Sequence, residues 1–186
     1  MIHINNRTFK QIFLESTLND YLDEDEDLHE TYQYFYNKII DLFPECEKTS
    51  SLGGDEDTKT FLVNMPFKDG PDGKLKGAFG KTWTDTETFK LKFVCISTKV
   101  LDMDDVHYFS VVAHEAAHVA AYNYIWSQDG DDAKKLKDEW DETKGHTKKW
   151  FEIINKLNTI KIKGTDRNAL DIVKDIDDNT YNRYFS

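Results

Sequence analysis

The feature that most constrains this chain is the segment from about residue 105 to 126. Read at helical period, Val106, Phe109, Val112, Ala113, Ala116, Val119 and Ala120 put apolar side chains around most of its circumference. A helix so apolar has little face to offer water, so other elements must surround it. It is predicted to be central in the domain. Within it stand His114, Glu115 and His118. A buried His-Glu-His group is costly unless it is fully paired or occupied, so its presence there asks for a reason.

The three residues form the pattern His-Glu-x-x-His. Residues four apart on a helix project from one face, about 40° apart. Both imidazoles can therefore reach one ion at about 2.0–2.1 Å. Glu115 lies beside them, placed to take a proton from an attacking water and deliver it to a leaving amine. A catalytic zinc needs a third protein ligand and an open position. His146 follows Gly145 and opens an amphipathic stretch, which makes it the favoured third ligand. Glu139 and Glu142 are its rivals, although both also read as exposed partners of Lys135, Lys137 and Lys144. Nickel, copper or cobalt would also suit imidazole donors.

Around this helix the chain alternates helical and extended patterns. Leu28, Tyr32, Phe35, Ile39 and Leu42 form one stripe, which predicts a helix over about 27–43, stopped by Pro44 and preceded by the acidic run Asp23–Asp27. A weaker helix is expected over about 7–19. Thr60–Met65 reads as a strand, 50–57 as a loop and Lys68–Gly77 as a turn or flap. Ala78–Trp83 and Thr88–Ser97 read as the arms of a hairpin. The second arm alternates as a sheet with one wetter face and offers an edge on which an extended peptide could add as a strand. Downstream, 129–144 is a charged, helix-capable insertion anchored by Leu136 and Trp140. His146–Leu157 is an amphipathic helix grouping Trp150, Phe151, Ile154 and Leu157. The tail from 159 to 186 carries one more helix and an aromatic end.

Composition narrows the function classes. The net charge is -11, with 35 acidic against 24 basic side chains. That balance repels phosphate at long range and argues against a broad nucleic-acid groove. Lys148, Lys149, Lys156, Lys161 and Lys163 are read mainly as a solvated helix face. The two cysteines, Cys46 and Cys95, do not form a CxxC pair, so a four-cysteine zinc site is excluded and both are expected as buried or half-buried thiols. No apolar run approaches the roughly 20 residues of a membrane span, and residues 1–14 lack an apolar signal region. The chain reads as a soluble cytoplasmic protein. Among the remaining polar residues, Tyr122 is read as core rather than as an oxyanion donor. His107, two turns or about 10 Å before His114, is too far to share its ion. His3 and His29 have no evident partner.

The run HEAAHVA on an apolar helix, the hairpin before it, and Gly145-His146 followed by Trp150-Phe151 resemble the SprT-like (Spartan-type) metallopeptidase domain. The resemblance covers about residues 28–158. It implies an α+β, zincin-like fold, with a small antiparallel sheet packed on a central HExxH helix between flanking helices, and the length of 186 residues suits one domain over 1–186. It further implies Zn2+ on His114, His118 and His146, Glu115 as catalytic base, and a protein or peptide substrate. The chain departs from the family in its long spacing between His118 and His146. It also lacks the cysteines and positive charge of the DNA-associating relatives, so DNA association is implied by resemblance alone. The expected activity is zinc-dependent hydrolysis of peptide bonds. The alternative is a zincin-like metal-binding protein with a structural or partner-recruiting role. No oligomeric state is assigned.

Overall fold

The computed structural model describes residues 26–47, 58–63, 68–69, 75–76, 79–84, 91–102 and 105–159. Helix α1 spans Glu26–Leu42 and ends in a short 3-10 turn at Pro44–Cys46. Strands β1 (Lys59–Val63), β2 (Lys68–Asp69), β3 (Leu75–Lys76), β4 (Gly80–Thr84) and β5 (Leu91–Ser97) follow, and a second 3-10 turn covers Thr98–Asp102. Three helices complete the described chain: α2 (Asp105–Trp126), α3 (Gly130–Thr143) and α4 (Lys148–Leu157). The architecture is α+β, with helices and a small sheet gathered around α2.

Helix α2 is the hub. It packs against α1, α3, α4, β4, β5 and both 3-10 turns. The physical reason is its composition. Ala113, Ala116, Ala117, Ala120 and Ala121 are all fully buried, and their short side chains let neighbouring elements approach on several sides. Val112, Val119, Tyr122 and Ile125 fill the remaining directions. A polar tie joins it to α1: Asn123 Nδ2 donates to Tyr36 Oη at 2.9 Å.

Helix α1 buries Leu28, Tyr32, Phe35 and Ile39. The fifth member of its predicted stripe, Leu42, is exposed, because it lies at the last residue, where the chain turns away at Phe43 and Pro44. His29 does have a partner. Its Nδ1 lies 3.3 Å from Thr60 Oγ1, tying α1 to β1.

The main sheet has the order β1-β5-β4. The hairpin pairing of β4 with β5 is antiparallel as expected, with a register shift at Trp83/Thr84. Strand β1, however, joins β5 in parallel, so the sheet is mixed rather than antiparallel throughout. Two expectations for the second arm fall with this. Flanked on both sides, β5 has no open edge for an added strand. Nor does it keep a wet face at its C-terminal end, since the consecutive residues Val94, Cys95, Ile96 and Ser97 are all buried. A central strand covered on both faces loses the alternation that a half-exposed strand shows. The predicted flap contributes the separate β2–β3 pair.

Helix α4 buries Trp150, Phe151, Ile153, Ile154 and Leu157. Each such side chain contributes about 1.5–3 kcal/mol by leaving water. Its lysines divide. Lys149 is no part of a solvated basic face: its side chain is only 10% exposed, and it bonds Glu45 at 2.6 Å with Glu152 at 3.6 Å. Its ammonium also sits 4.6 Å and 4.7 Å from the ring centres of Phe43 and Tyr124. Burial opposes the charge, but the Glu45 hydrogen bond and the surrounding acidic groups outweigh it and raise the Lys149 pKa. Lys149 is thus a clamp between α4 and the first 3-10 turn.

Cys46 and Cys95 are buried free thiols whose pKa values burial raises to about 12. No helix among the described residues is long and apolar enough to cross a membrane. The helix expected near 7–19, the loop at 50–57, the C-terminal tail, His3, Lys161 and Lys163 lie outside the described residues.

Candidate metal centre

Two elements bring the three histidines together. His114 and His118 stand one turn apart on α2, and His146 lies in the tight turn between α3 and α4. The turn depends on backbone geometry that few residues accept. Lys144 closes α3 in the left-handed region at φ 55°, and Gly145 follows at φ 86°. Gly145 is also pressed against the site. A Cβ there would lie 2.9 Å from His118 Nδ1 and 3.2 Å from Trp140. Glycine meets both demands, and the Gly145 N–H donates back to the Trp140 carbonyl at 2.9 Å. Helix α4 then starts one residue after Thr147, whose Oγ1 accepts from the Trp150 N–H at 3.3 Å. His146 therefore precedes the helix cap rather than opening the helix itself.

The side chains converge. His114 Nε2 lies 3.1 Å from His118 Nε2 and 3.3 Å from His146 Nε2. One coordinating nitrogen from each of the three lies within 4.8 Å of the other two, close enough to hold a single metal ion. Two nitrogens of one tetrahedral zinc, each at 2.0–2.1 Å, stand about 3.3–3.4 Å apart, so the donor set fits that geometry. Hydrogen bonding turns the rings the same way. His146 Nδ1 donates to the Thr143 carbonyl at 3.3 Å. His118 turns its Nδ1 towards Gly145 and bonds that residue's backbone. With Nδ1 carrying the proton, Nε2 presents a lone pair to the centre, the tautomer a metal ligand requires.

Electrostatics agree. Burial, with His146 close by, lowers the His114 pKa to about 3. Burial also holds His118 and His146 below the ordinary imidazole range. All three rings are neutral near pH 7 and compete weakly for protons.

Glu115 is buried, and its surroundings come from β4. Thr82 Oγ1 donates to Glu115 Oε2 at 2.6 Å. Two residues earlier on the same strand face, Gly80 leaves the carboxylate its space: a Cβ there would stand 2.6 Å from Oε1 and 2.7 Å from Cγ. Burial raises the Glu115 pKa to about 7, although Thr82 and Lys81 pull the other way.

The rivals to His146 stand elsewhere. Glu139 Oε1 accepts from the Lys148 N–H at 2.7 Å and so serves the start of α4. Lys135 pairs with Asp132, not with Glu139. Glu142 is exposed and outside the histidine cluster. Tyr122 is core, stacked on Trp126 at 4.2 Å. The side chain of His107 lies outside those described. Helix α3, read as an insertion, brings Trp140 to 6.1 Å from His118, ring centre to ring centre.

Sequence reasoning did not single out Thr82, Gly80 or Trp150 as site residues. The first two carry a recoverable signal. Gly80-x-Thr82 has strand spacing in the arm next to the hairpin's central strand, and period two places both on one face. No family model, curated protein or solved structure matches the chain.

Proposed function

We propose that this chain is a zinc-dependent metallopeptidase of zincin-like, SprT-like type, with His114, His118 and His146 holding the ion and Glu115 as general base. The observation that carries the reading is the spacing of the imidazole nitrogens, 3.1 Å and 3.3 Å from His114 Nε2, beside a buried glutamate. Three neutral histidines leave a fourth position for water or substrate, the donor pattern of a catalytic rather than a closed structural site.

When bound, zinc polarises the scissile carbonyl and brings the pKa of a coordinated water towards 7. The chain's own groups do the rest. Glu115, buried beside the ligands and held by the Thr82 hydroxyl, is placed to accept a proton from the attacking water and to release it to the leaving amine. Thr82 holds that carboxylate in one orientation, and Nδ1 contacts hold the His118 and His146 ring planes. Among the described residues β4 has no strand on its far side, so an extended peptide has an edge beside Glu115 on β4 rather than on β5. We read the protein as cytoplasmic, in keeping with two free thiols. Nucleic acid forms no part of the proposal, because the net charge is -11 and Lys149 is already engaged by Glu45.

The test pairs metal content with turnover. Elemental analysis should give near one zinc per chain. Glu115→Gln should keep the zinc and abolish cleavage of unfolded casein. A wild-type protein with zinc but no cleavage that this change removes would establish the metal-binding alternative instead. Absence of any bound divalent metal would sink both.

A further inference from the structure

The metal centre rests on a residue that donates no ligand atom. Trp150, fully buried on α4, contacts all three imidazoles. Its ring centre lies 4.7 Å from His114 and 4.7 Å from His146, both edge to face, and 5.3 Å from His118 with planes inclined at only 28°. The indole Nε1 donates to the His114 backbone carbonyl at 3.3 Å. A buried indole with its N–H satisfied in this way has a fixed ring plane. Its own backbone is fixed as well, because its N–H bonds Thr147 Oγ1 at the start of the helix.

From this we infer that Trp150 is a positioning residue for the metal centre, setting the mutual spacing of three ligands that come from two separate parts of the chain. His114 and His118 are related by one helical turn, so α2 alone places their backbones. Nothing in α2 determines where His146 stands. Trp150 follows His146 by four residues and bonds the His114 carbonyl, so it links the third ligand's turn directly to the ligand helix. It also closes off ring rotations at all three histidines at once. Loss of this platform loosens the site even though every ligand remains. The inference rests on the metal-binding part of the proposal and is independent of peptidase activity.

The test uses cobalt, whose visible absorption reports coordination geometry. Metal-free wild type, Trp150→Phe and Trp150→Leu are each titrated with Co2+, and the thermal unfolding of each metal-free form is recorded. Wild type should saturate at one equivalent. Trp150→Phe, which keeps an aromatic floor, should bind within about fivefold of wild type. Trp150→Leu should bind about 10–100-fold more weakly, as outer-sphere supports typically do when lost, and with a changed visible spectrum. If Trp150→Leu binds Co2+ with wild-type affinity and spectrum while its metal-free melting temperature falls, Trp150 only fills the core and the inference is overturned. Should that variant fail to fold, Trp150→Met decides by the same two readouts, and wild-type Co2+ affinity and spectrum in it overturn the inference. A wild-type protein that binds no Co2+ removes the metal centre itself, an outcome distinct from the other two.

Discussion

Thr82 Oγ1 donates to Glu115 Oε2 across 2.6 Å, joining a strand at the sheet's edge to a carboxylate buried in the central helix. The bond spans 33 positions of sequence and sets where the proposed base points. Thr82→Val keeps the shape and removes the donor, which for a buried charge-bearing group costs about 1–3 kcal/mol. We expect cleavage to fall about tenfold or more, with metal content unchanged and Thr82→Ser close to wild type. Equal rates for Val and Ser variants would remove Thr82 from the account.

Gly80 and Gly145 press on different partners, so alanine at each should fail differently. At Gly80 the added methyl meets Glu115 Oε1 at 2.6 Å, and the expected loss is in turnover, with zinc retained. At Gly145 it meets His118 Nδ1 at 2.9 Å on a backbone at φ 86°. There the expected loss is about 1–3 kcal/mol of stability together with weaker metal binding. Thermal unfolding with and without zinc separates the two.

Stability of the metal-free protein should depend on pH in two opposing ways. An unfolded histidine takes up its proton near 6.5, whereas folded His114 does so only near 3. Its contribution to stability is therefore present above about 6.5 and is lost as pH falls towards 3. His118 and His146 are shifted in the same direction. Glu115 runs oppositely. Its pKa is raised from 4.5 to about 7, so its contribution is present below about 4.5 and lost as pH rises through 7. With chelator present, Glu115→Gln should be more stable than wild type at pH 8 and nearly equal to it at pH 4. A constant difference in melting temperature across that range would contradict this.

His146 and Glu139 are separable by substitution. His146→Ala should lose tight zinc binding while the metal-free fold persists. Glu139→Ala removes the acceptor for the Lys148 N–H and should lower stability by about 0.5–2 kcal/mol, the usual effect of losing a helix cap, with zinc binding kept. Zinc loss in the Glu139 variant would bring that residue back as a ligand.

Much of the site was legible because it is local. His114 and His118 are four apart on a helix whose composition forces it inward, so their shared face follows from helical period alone. His146 was readable as a candidate from its glycine neighbour and the amphipathic run after it. That context favoured His146 over Glu139 and Glu142, and the meeting of α3 and α4 at Lys144 and Gly145 brings it, rather than either glutamate, beside His114 and His118.

The sequence by itself determined that α2 is central, that α1 and α4 are helices, that β4 and β5 form a hairpin, and that a His-Glu-His set is carried inward, and it left α3 as a stretch able to form a helix. These follow from side-chain periodicity, which is a property of consecutive residues. Only the tertiary structure decided that β1 lies parallel to β5 and closes its edge, that Lys149 is clamped rather than solvated, and that Thr82, Gly80 and Trp150 surround the proposed site. Those are contacts between residues distant in the chain. Periodicity shows which face a side chain occupies, and packing alone fixes what that face meets.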